Sequence, residues 1–362
     1  MSKHKVGILG YGIIGKGVFK LIGELPSSYQ TSVKKVFDLP FRKEELGDLL
    51  VTDFKDITED EEIDIVVEVL GGDELPYQAI TSALKNKKSV ITSNKETVSK
   101  HLDEYLNLAK ENGVFFLFEA AVGGGIPLLN PIIQISKFDK IKSFKGILNG
   151  TTNFILTKVI KEGMSFDYAL KEAQRLGFAE RDPSADLEGA DLARKGTIVA
   201  SIAFNKKIDY KDIPCFGIKN INDKIIEDIK NLNKIIKFFV EGKIIDDDRI
   251  ELLVTPVLLD VSHTLSQVTY EFNGAIIDCE YNSKLTFIGK GAGSLPTASA
   301  VMQNLVSIIE NNGNINRENA KDAQVIFVDS YEYFVSDGVN SKIISPKNIN
   351  DLQKYSFVAK IL

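Results

Sequence analysis

Residues 5–19 read KVGILGYGIIGKGVF, an apolar strand followed by a Gly-x-Gly-x-x-Gly turn and the start of a helix. In such a turn Gly10 permits a tight bend, Gly12 lets the backbone approach a pyrophosphate, and Gly15 lets the helix pack closely on the strand. The N-terminus of the helix then presents N–H groups and the positive end of its dipole to the phosphates. The pattern predicts a dinucleotide-binding turn, and a purely structural glycine turn is the alternative.

Outward from this turn, strand-like and helix-like segments alternate over the first third of the chain. The strands are predicted at Lys5–Leu9, Val33–Phe37, Ile63–Leu70, Ser89–Thr92 and Val114–Phe118. The helices are predicted at Ile13–Glu24, Leu75–Asn86 and Lys95–Asn112. Nearly continuous apolar runs suit strands that are buried on both faces of a parallel sheet. The fold class predicted is therefore α/β, a Rossmann-type doubly wound parallel sheet.

The pattern changes after Gly123, where a glycine-rich loop leads into helices and then several short strands. The helices are predicted near Thr151–Lys161, Ser165–Leu176 and Gly189–Phe204, and the strands between Ile244 and Ile288. These segments predict a second, α+β domain for substrate binding and dimerisation. A helix over Pro296–Glu310 returns to the first domain. We expect residues 1–135 and about 290–312 to bind the dinucleotide, 136–289 to form the second domain, and 313–362 to be an extension of unknown role.

The composition excludes several classes of protein. Lys plus Arg is 44 and Asp plus Glu is 50, so the net charge of −6 argues against a nucleic-acid or anionic-membrane partner. The only cysteines, Cys215 and Cys279, rule out a disulfide framework or a CxxC metal site. No apolar run approaches the roughly 18 residues of a membrane span. Strand-like sequence from Lys5 leaves no room for a signal peptide, so a cytoplasmic location is expected.

Two charged groups follow the second predicted strand. Asp38 comes 23 residues after Gly15, about where a carboxylate that binds the ribose is expected. Arg42 lies just beyond it and is suited to a 2′-phosphate, or it belongs to a solvated loop. These residues leave the choice between NAD and NADP open.

Two lysines are candidates for chemistry. Lys95 follows Thr92 and Ser93, at the end of a strand where doubly wound sheets bind ligands, although a lysine at a helix start is common. Asp191 and Lys195 are four residues apart and share a helix face, at the start of an apolar run. Such a pair is suited to protonate a carbonyl oxygen, but most pairs of this spacing are surface salt bridges.

Several ordered blocks of the chain resemble the homoserine dehydrogenase family. The blocks are GYGIIG at 10–15, TSNK at 92–95, EAAVGGGIP at 119–127, GILNGTTN at 146–153, the stretch 177–195, and GAG at 291–293 followed by Thr297-Ala298. The GILNGTTN and 177–195 blocks are the most specific. The family resemblance implies an NAD(P)-dependent oxidoreductase that interconverts L-homoserine and L-aspartate 4-semialdehyde in threonine and methionine biosynthesis.

The resemblance also implies roles for individual residues. Lys195 is the proton donor to the carbonyl oxygen, with Asp191 beside it. Substrate contacts are implied for Glu180, Asp186, Asp191 and Lys95. Cofactor contacts are expected for Gly10, Gly12, Ile13, Ile14, Gly15, Asp38, Arg42, Thr92, Ser93, Lys95, Gly177 and Gly291. A sodium site that uses main-chain carbonyls is implied at Glu119, Val122, Gly124 and Ile126, where oxygen ligands suit a hard cation.

The family further implies a homodimer that associates through the sheets of the second domain. We expect no aspartokinase-like domain before residue 5 and no ACT regulatory domain in the 50 residues from Gly313, so threonine inhibition through such a domain is not expected.

Two alternatives stay open at this stage. One is a different Rossmann dehydrogenase of a small amino-acid semialdehyde, which in its phosphorylating form needs a cysteine nucleophile in a strand–turn–helix setting. The other is a dinucleotide-binding regulator without catalytic activity, against which the set Lys95, Glu180, Asp191 and Lys195 argues.

Overall fold

The structure, a computed structural model, describes residues 3–313, 315, 317, 320–328 and 330–362. The chain divides into two compact units. The first contains the chain up to Asn130 and the segment that begins at Ala292, and the second contains Pro131–Gly291 and the C-terminal residues 320–362. The last segment, which the sequence analysis set aside as an extension of unknown role, therefore lies within the second unit.

Strands and helices cover most of both units. The strands are β1 (His4–Leu9), β2 (Thr31–Phe37), β3 (Leu50–Val51), β4 (Ile65–Glu68), β5 (Ser89–Thr92), β6 (Phe116–Leu117), β7 (Ile141–Ile147), β8 (Lys206–Lys207), β9 (Ile235–Ile244), β10 (Arg249–Leu259), β11 (Phe272–Cys279), β12 (Lys284–Lys290), β13 (Lys321–Asp322), β14 (Gln324–Ile326), β15 (Tyr333–Ser336), β16 (Ser341–Ile344) and β17 (Phe357–Ile361). The helices are α1 (Ile13–Gly23), α2 (Lys43–Leu46), α3 (Lys55–Thr58), α4 (Glu74–Lys85), α5 (Lys95–Asn112), α6 (Leu129–Ile135), α7 (Gly150–Glu162), α8 (Phe166–Arg175), α9 (Ser184–Leu187), α10 (Ala190–Phe204), α11 (Asp223–Asn231), α12 (Ser294–Ile309) and α13 (Asn350–Gln353). None of these helices is long and apolar enough to cross a membrane.

The first unit is built on a six-stranded sheet in the order β3-β2-β1-β4-β5-β6, with every neighbouring pair parallel. Every residue of β4 and β5 is buried, as the unbroken apolar runs in the sequence require. The strand order reverses between β1 and β4, so the turn after β1 lies at the switch point where such sheets bind ligands. This arrangement confirms the predicted doubly wound parallel sheet.

Helix α12 packs against α1 within the first unit, although 281 residues separate Ile13 from Ser294 in sequence. The approach is close because Gly17 has no side chain: a Cβ there would lie 2.9 Å from Ser294 Oγ and 3.0 Å from Ala298 Cβ. Ser294 Oγ also donates a hydrogen bond to the carbonyl of Ile13 at 2.7 Å. The return of the chain after β12 thus completes one face of the sheet.

The second unit contains a mixed sheet in the order β12-β11-β7-β9-β10-β17-β15-β16, with β14 beside β10. Helix α10 packs on β9, where a Cβ at Gly196 would lie 2.3 Å from Val240 Cγ2. Strand β17 pairs in parallel with β10 and antiparallel with β15, so the C-terminal segment extends the sheet. Its own apolar cluster includes Tyr333, Leu352 and Val358. The sequence analysis placed no strand in this segment, because its strands are short and two of them, β14 and β17, pair with the distant strand β10.

Candidate active site

The glycine turn of the first unit has the geometry that its sequence predicts. Gly10 has a φ of +102°, and a Cβ there would lie 3.0 Å from the carbonyl oxygen of Val69. A Cβ at Gly15 would lie 2.0 Å from the carbonyl oxygen of Gly10, so helix α1 can begin here only with glycine at that position. Nothing lies within 4 Å of the Cβ position at Gly12, which leaves open space beside the backbone. The turn therefore holds its shape through Gly10 and Gly15 and offers room for a ligand at Gly12.

Asp38 lies against the same turn, at the end of β2. Its carboxylate accepts hydrogen bonds from the N–H of Tyr11 and, at 2.7 Å, from the N–H of Leu39. The Arg42 Nε lies 3.9 Å from Asp38 Oδ1, while Arg42 also forms a 2.8 Å ion pair with Glu45. The carboxylate expected at the ribose thus reaches the turn, and the arginine beside it already has an acidic partner.

A buried carboxylate, Glu68, connects the ends of β4 and β5. It accepts hydrogen bonds from Thr92 Oγ1 and, at 2.6 Å, from the N–H of Leu70. Asn94 donates to the carbonyl of Gly72 at 2.7 Å and caps α5, the helix that begins with Lys95. Sequence reasoning selected Thr92 but missed Glu68, whose only signal was a carboxylate at the end of an otherwise apolar strand.

Burial of Glu68 makes the stability of the protein depend on pH. Because Glu68 is fully buried, its pKa is raised to about 7, despite the hydrogen bonds that it accepts. The folded state therefore binds a proton that the unfolded state releases near pH 4.5, so folding stability falls as the pH rises from about 4.5 to about 7. The shift corresponds to about 3 kcal/mol.

We expect Glu68→Gln to remove this pH dependence. Thermal unfolding at pH 5.5 and at pH 8 measures it: the wild-type midpoint should fall between the two values, and the midpoint of the variant should fall much less. Glu111→Gln, at an exposed position on α5, is the matched control and should behave as the wild type. Parallel pH profiles for the wild type and Glu68→Gln would contradict the prediction.

In the second unit, Lys195 and Asp191 form a buried pair on one face of α10. Lys195 Nζ donates to Asp191 Oδ2 at 2.8 Å and to the carbonyl oxygen of Leu148 at 2.7 Å. The exposed fractions of the two side chains are 13% for Lys195 and 5% for Asp191. The pair is therefore unlike the surface salt bridges to which this spacing usually belongs.

Asn149 joins this pair to a second carboxylate. Its Nδ2 donates to Asp186 Oδ1 at 2.6 Å and to Asp191 Oδ2 at 2.9 Å. Four of the side chains in the two most specific sequence blocks thus meet in one network: Asn149, Asp186, Asp191 and Lys195. The sequence analysis named the last three and missed Asn149, although it lies in the GILNGTTN block, because its partners are 37 and 42 residues away.

Glu180 and Gly177 lie in the loop that follows α8. Gly177 has a φ of +78°, and Glu180 is exposed to solvent. Thr151 Oγ1 donates to the carbonyl of Phe178 at 2.5 Å, so the first turn of α7 holds this loop. The Glu180 carboxylate therefore stands on a loop tied to the helix that Asn149 caps.

Gly291 follows β12 and lies directly against β11. A Cβ at Gly291 would lie 2.1 Å from Cγ of the buried Asn273, so a larger residue would have to displace that side chain. This packing explains the glycine without a cofactor, and a contact between Gly291 and the cofactor stays a prediction.

The loop at 119–127 contains the residues expected to bind sodium. The carboxylate of Glu119, which is 1% exposed, accepts hydrogen bonds from the N–H groups of Leu128 at 2.6 Å, Leu129 at 2.9 Å and Asn130 at 2.6 Å. Burial raises the pKa of this carboxyl, against the opposing effect of the three N–H donors. Among the described residues, no group of three or more His, Cys, Asp or Glu side chains is arranged to hold a metal ion.

Neither cysteine has the setting of a nucleophile. Cys279 ends β11, is fully buried, and has a pKa raised by that burial. Cys215 forms a single bridge with Val254 of β10 and does not begin a helix. A dehydrogenase that depends on a catalytic cysteine is therefore not supported.

A glycine turn at the switch point of a Rossmann sheet is typical of NAD(P)-dependent oxidoreductases, and the second unit contains a largely buried ammonium–carboxylate pair. Family models agree in detail: residues 10–119 match "Homoserine dehydrogenase, NAD binding domain" and residues 127–306 match "Homoserine dehydrogenase". The chain belongs to the homoserine dehydrogenase family. This confirms the resemblance, the oxidoreductase class and the interconversion of L-homoserine and L-aspartate 4-semialdehyde with NAD(P).

Individual relatives support the same assignment. The homoserine dehydrogenase of Bacillus subtilis is 40% identical over 86% of this chain and 74% of its own length. The crystal structure of a homoserine dehydrogenase from Thiobacillus denitrificans has a TM-score of 0.88 at 28% identity, covering 99% of this chain and 98% of the other. A hyperthermophilic archaeal homoserine dehydrogenase in complex with NADPH has a TM-score of 0.74 at 25% identity, covering 86% of this chain and 99% of the other.

Proposed function

We propose that Lys195 moves the proton in the interconversion of L-homoserine and L-aspartate 4-semialdehyde. When bound, the dinucleotide supplies the hydride to the aldehyde carbon or accepts it from the alcohol. In reduction, Lys195 Nζ donates its proton to the aldehyde oxygen, and in oxidation the neutral amine takes the proton from the hydroxyl. The observation that carries this role is the burial of the ammonium on two acceptors, Asp191 and the Leu148 carbonyl.

The hydrogen bonds of Lys195 indicate which of its N–H groups would contact the substrate. An ammonium has three N–H donors, and two point at Asp191 and Leu148, so we assign the third to the substrate oxygen. We assign the exposed carboxylate of Glu180 to the substrate ammonium, and Asp186 to the polar wall of the same site. Lys95, at the start of α5, is assigned to a substrate anion or to the cofactor.

We propose NAD as the preferred cofactor, held at the turn that contains Ile13 and Ile14, where the Ser294 hydroxyl donates to the carbonyl of Ile13. The Asp38 carboxylate suits a ribose 2′-hydroxyl, which donates a hydrogen bond, and it repels a 2′-phosphate. The cation best suited to that phosphate, Arg42, is already paired with Glu45. NADP is the alternative, which the NADPH complex of the archaeal relative supports.

Asp38→Ser tests the cofactor preference. Initial rates with L-homoserine and either NAD⁺ or NADP⁺ give the ratio of the two kcat/KM values. We expect the wild type to favour NAD⁺ and the variant to shift the ratio toward NADP⁺ by about 10- to 100-fold, as the loss of one charge-assisted hydrogen bond of about 1.5–3 kcal/mol implies. Wild-type rates that favour NADP⁺ would reverse the assignment.

We propose that a sodium ion binds main-chain carbonyls of Glu119, Val122, Gly124 and Ile126. These residues are buried, and Gly123 and Gly124 have φ values of +79° and +61°. The Glu119 carboxylate is engaged by three N–H groups, so neutral carbonyls are the donors, which suits a monovalent hard cation. Bound there, the ion would hold the loop before α6 in place.

We propose a homodimer in the cytoplasm. Strand β12 ends the sheet of the second unit. Ile288 on this strand is 51% exposed, and Tyr281 in the turn that precedes the strand is 73% exposed. An open sheet edge with apolar side chains is a ready surface for a second chain. Light scattering on the purified protein measures the mass in solution and tests the dimer.

A further inference from the structure

The amide of Asn149 has one orientation only, because its oxygen caps a helix. Asn149 precedes α7, and its Oδ1 accepts hydrogen bonds from the N–H of Thr152 at 2.8 Å and from Thr152 Oγ1 at 3.0 Å. A carboxamide whose oxygen accepts at the helix start must direct its NH₂ group to the opposite side. The hydrogen bond that caps the helix therefore also orients the NH₂ group toward the two carboxylates that accept from it.

The NH₂ group of Asn149 lies between two carboxylates, whose negative charges it partly offsets by donating a hydrogen bond to each. Asp186 Oδ1 and Asp191 Oδ2 are both within hydrogen-bond distance of one nitrogen, so two negative groups are close together. Asp191 Oδ2 accepts from both Asn149 and Lys195. The second acceptor of Lys195 is the carbonyl of Leu148, the residue next to Asn149 in the chain. The two residues that follow β7, Leu148 and Asn149, thus contact Lys195 and Asp191 respectively.

We propose that Asn149 is a positioning residue that aligns the Asp191–Lys195 pair and couples it to Asp186. It does not touch the reacting atoms: it fixes the Asp191 carboxylate, and through it the direction of the Lys195 ammonium. Asn149 is 4% exposed, so water cannot readily substitute for its two N–H groups. This role rests on the proposed function of Lys195 and adds a residue to it.

Asn149→Ser separates positioning from capping. Serine caps a helix about as well as asparagine, but its hydroxyl cannot reach both carboxylates. We expect a loss of kcat of about 100-fold, as small misplacements of a catalytic group produce, with an unchanged Kd for the dinucleotide. The thermal midpoint should fall, because two carboxylates lose a donor, but the variant should be fully folded at the assay temperature. The matched control is Asn222→Ser, which alters the cap of α11, where Asn222 accepts from the N–H of Ile225 at 2.9 Å. The control should keep wild-type kcat.

Asn149→Asp gives a readout that a capping role alone would not change. The new carboxylate still caps α7, but it replaces the NH₂ group beside Asp186 and Asp191 with a negative charge. That charge lies beside two other carboxylates, so the three should share a proton at neutral pH and the pH profile of the oxidation rate should be displaced from that of the wild type by about one unit or more. The measurement is the pH profile of kcat with L-homoserine.

Two results would overturn the proposal: wild-type kcat and pH profile in the Asn149 variants, or losses of activity that match a loss of folded protein by circular dichroism. Lys195→Ala distinguishes this failure from failure of the proposed function. If Lys195→Ala is inactive and Asn149→Ser is fully active, only the proposed role of Asn149 is disproved. An active Lys195→Ala removes the role of Lys195 itself.

Discussion

Lys195→Ala should lower kcat by about 1000-fold, within the range of about 10²–10⁴ that a positioned general acid contributes. The variant loses the ammonium that donates to Asp191 and to the carbonyl of Leu148, while the glycine turn at 10–15 is unaltered. Dinucleotide binding should therefore persist. Steady-state rates with L-homoserine measure kcat. Titration with the reduced dinucleotide, followed by its fluorescence, measures the Kd for the dinucleotide.

Lys195→Arg shows whether activity depends on the transferable proton of Lys195 or only on its positive charge, and Lys219→Ala is the control. Lys195→Arg keeps a positive charge next to Asp191, but a guanidinium does not release its proton at neutral pH, so kcat should stay low. Lys219→Ala is the matched control, because Lys219 forms an exposed ion pair with Glu188 and should leave kcat unchanged. A Lys195→Ala variant that retains a tenth or more of the wild-type kcat would disprove the assignment, and equal loss of dinucleotide binding would make Lys195 structural.

The fold of the first unit could be predicted because its signals are local. Strand β5 and helix α5 have the bounds that the sequence indicated, since each is an uninterrupted pattern. Asn94 caps the start of α5 and Gly113 follows its end. In the second unit, β7 and β9 were not identified. Both carry charged residues, among them Lys145 and Glu241, which interrupt the apolar pattern and are accommodated only by neighbouring strands.

The candidate site divides in the same way. Asp191 and Lys195 could be paired from sequence because they are one helical turn apart. Asn149 and Glu68 could not, because what makes each important is a partner brought near by folding: the Asp191 carboxylate for Asn149, and the Thr92 hydroxyl for Glu68. In the sequence alone, a polar residue at the end of an apolar strand only interrupts the hydrophobic pattern. Its hydrogen-bond partners become evident only in the folded structure.

Glu119→Ala should destabilise the first unit by about 4 kcal/mol, because it leaves buried N–H groups without an acceptor at about 1–3 kcal/mol each. The carboxylate receives the N–H groups of Leu128, Leu129 and Asn130, and these begin α6. The N–H of Glu119 donates in turn to Oδ1 of Asn304 on α12 at 2.9 Å. The residue therefore joins the loop at 119–127 to the helix that follows it and to α12.

Urea unfolding followed by far-ultraviolet circular dichroism measures this loss as a lower midpoint. Glu119→Gln should fall between the wild type and Glu119→Ala, because its amide keeps one acceptor oxygen but turns an N–H₂ group toward the remaining donors. Glu111→Ala, at an exposed position in α5, serves as the control and should change stability by less than about 0.5 kcal/mol. If Glu119→Ala unfolds at the wild-type midpoint, the three N–H groups find other acceptors, and the loop does not depend on this carboxylate.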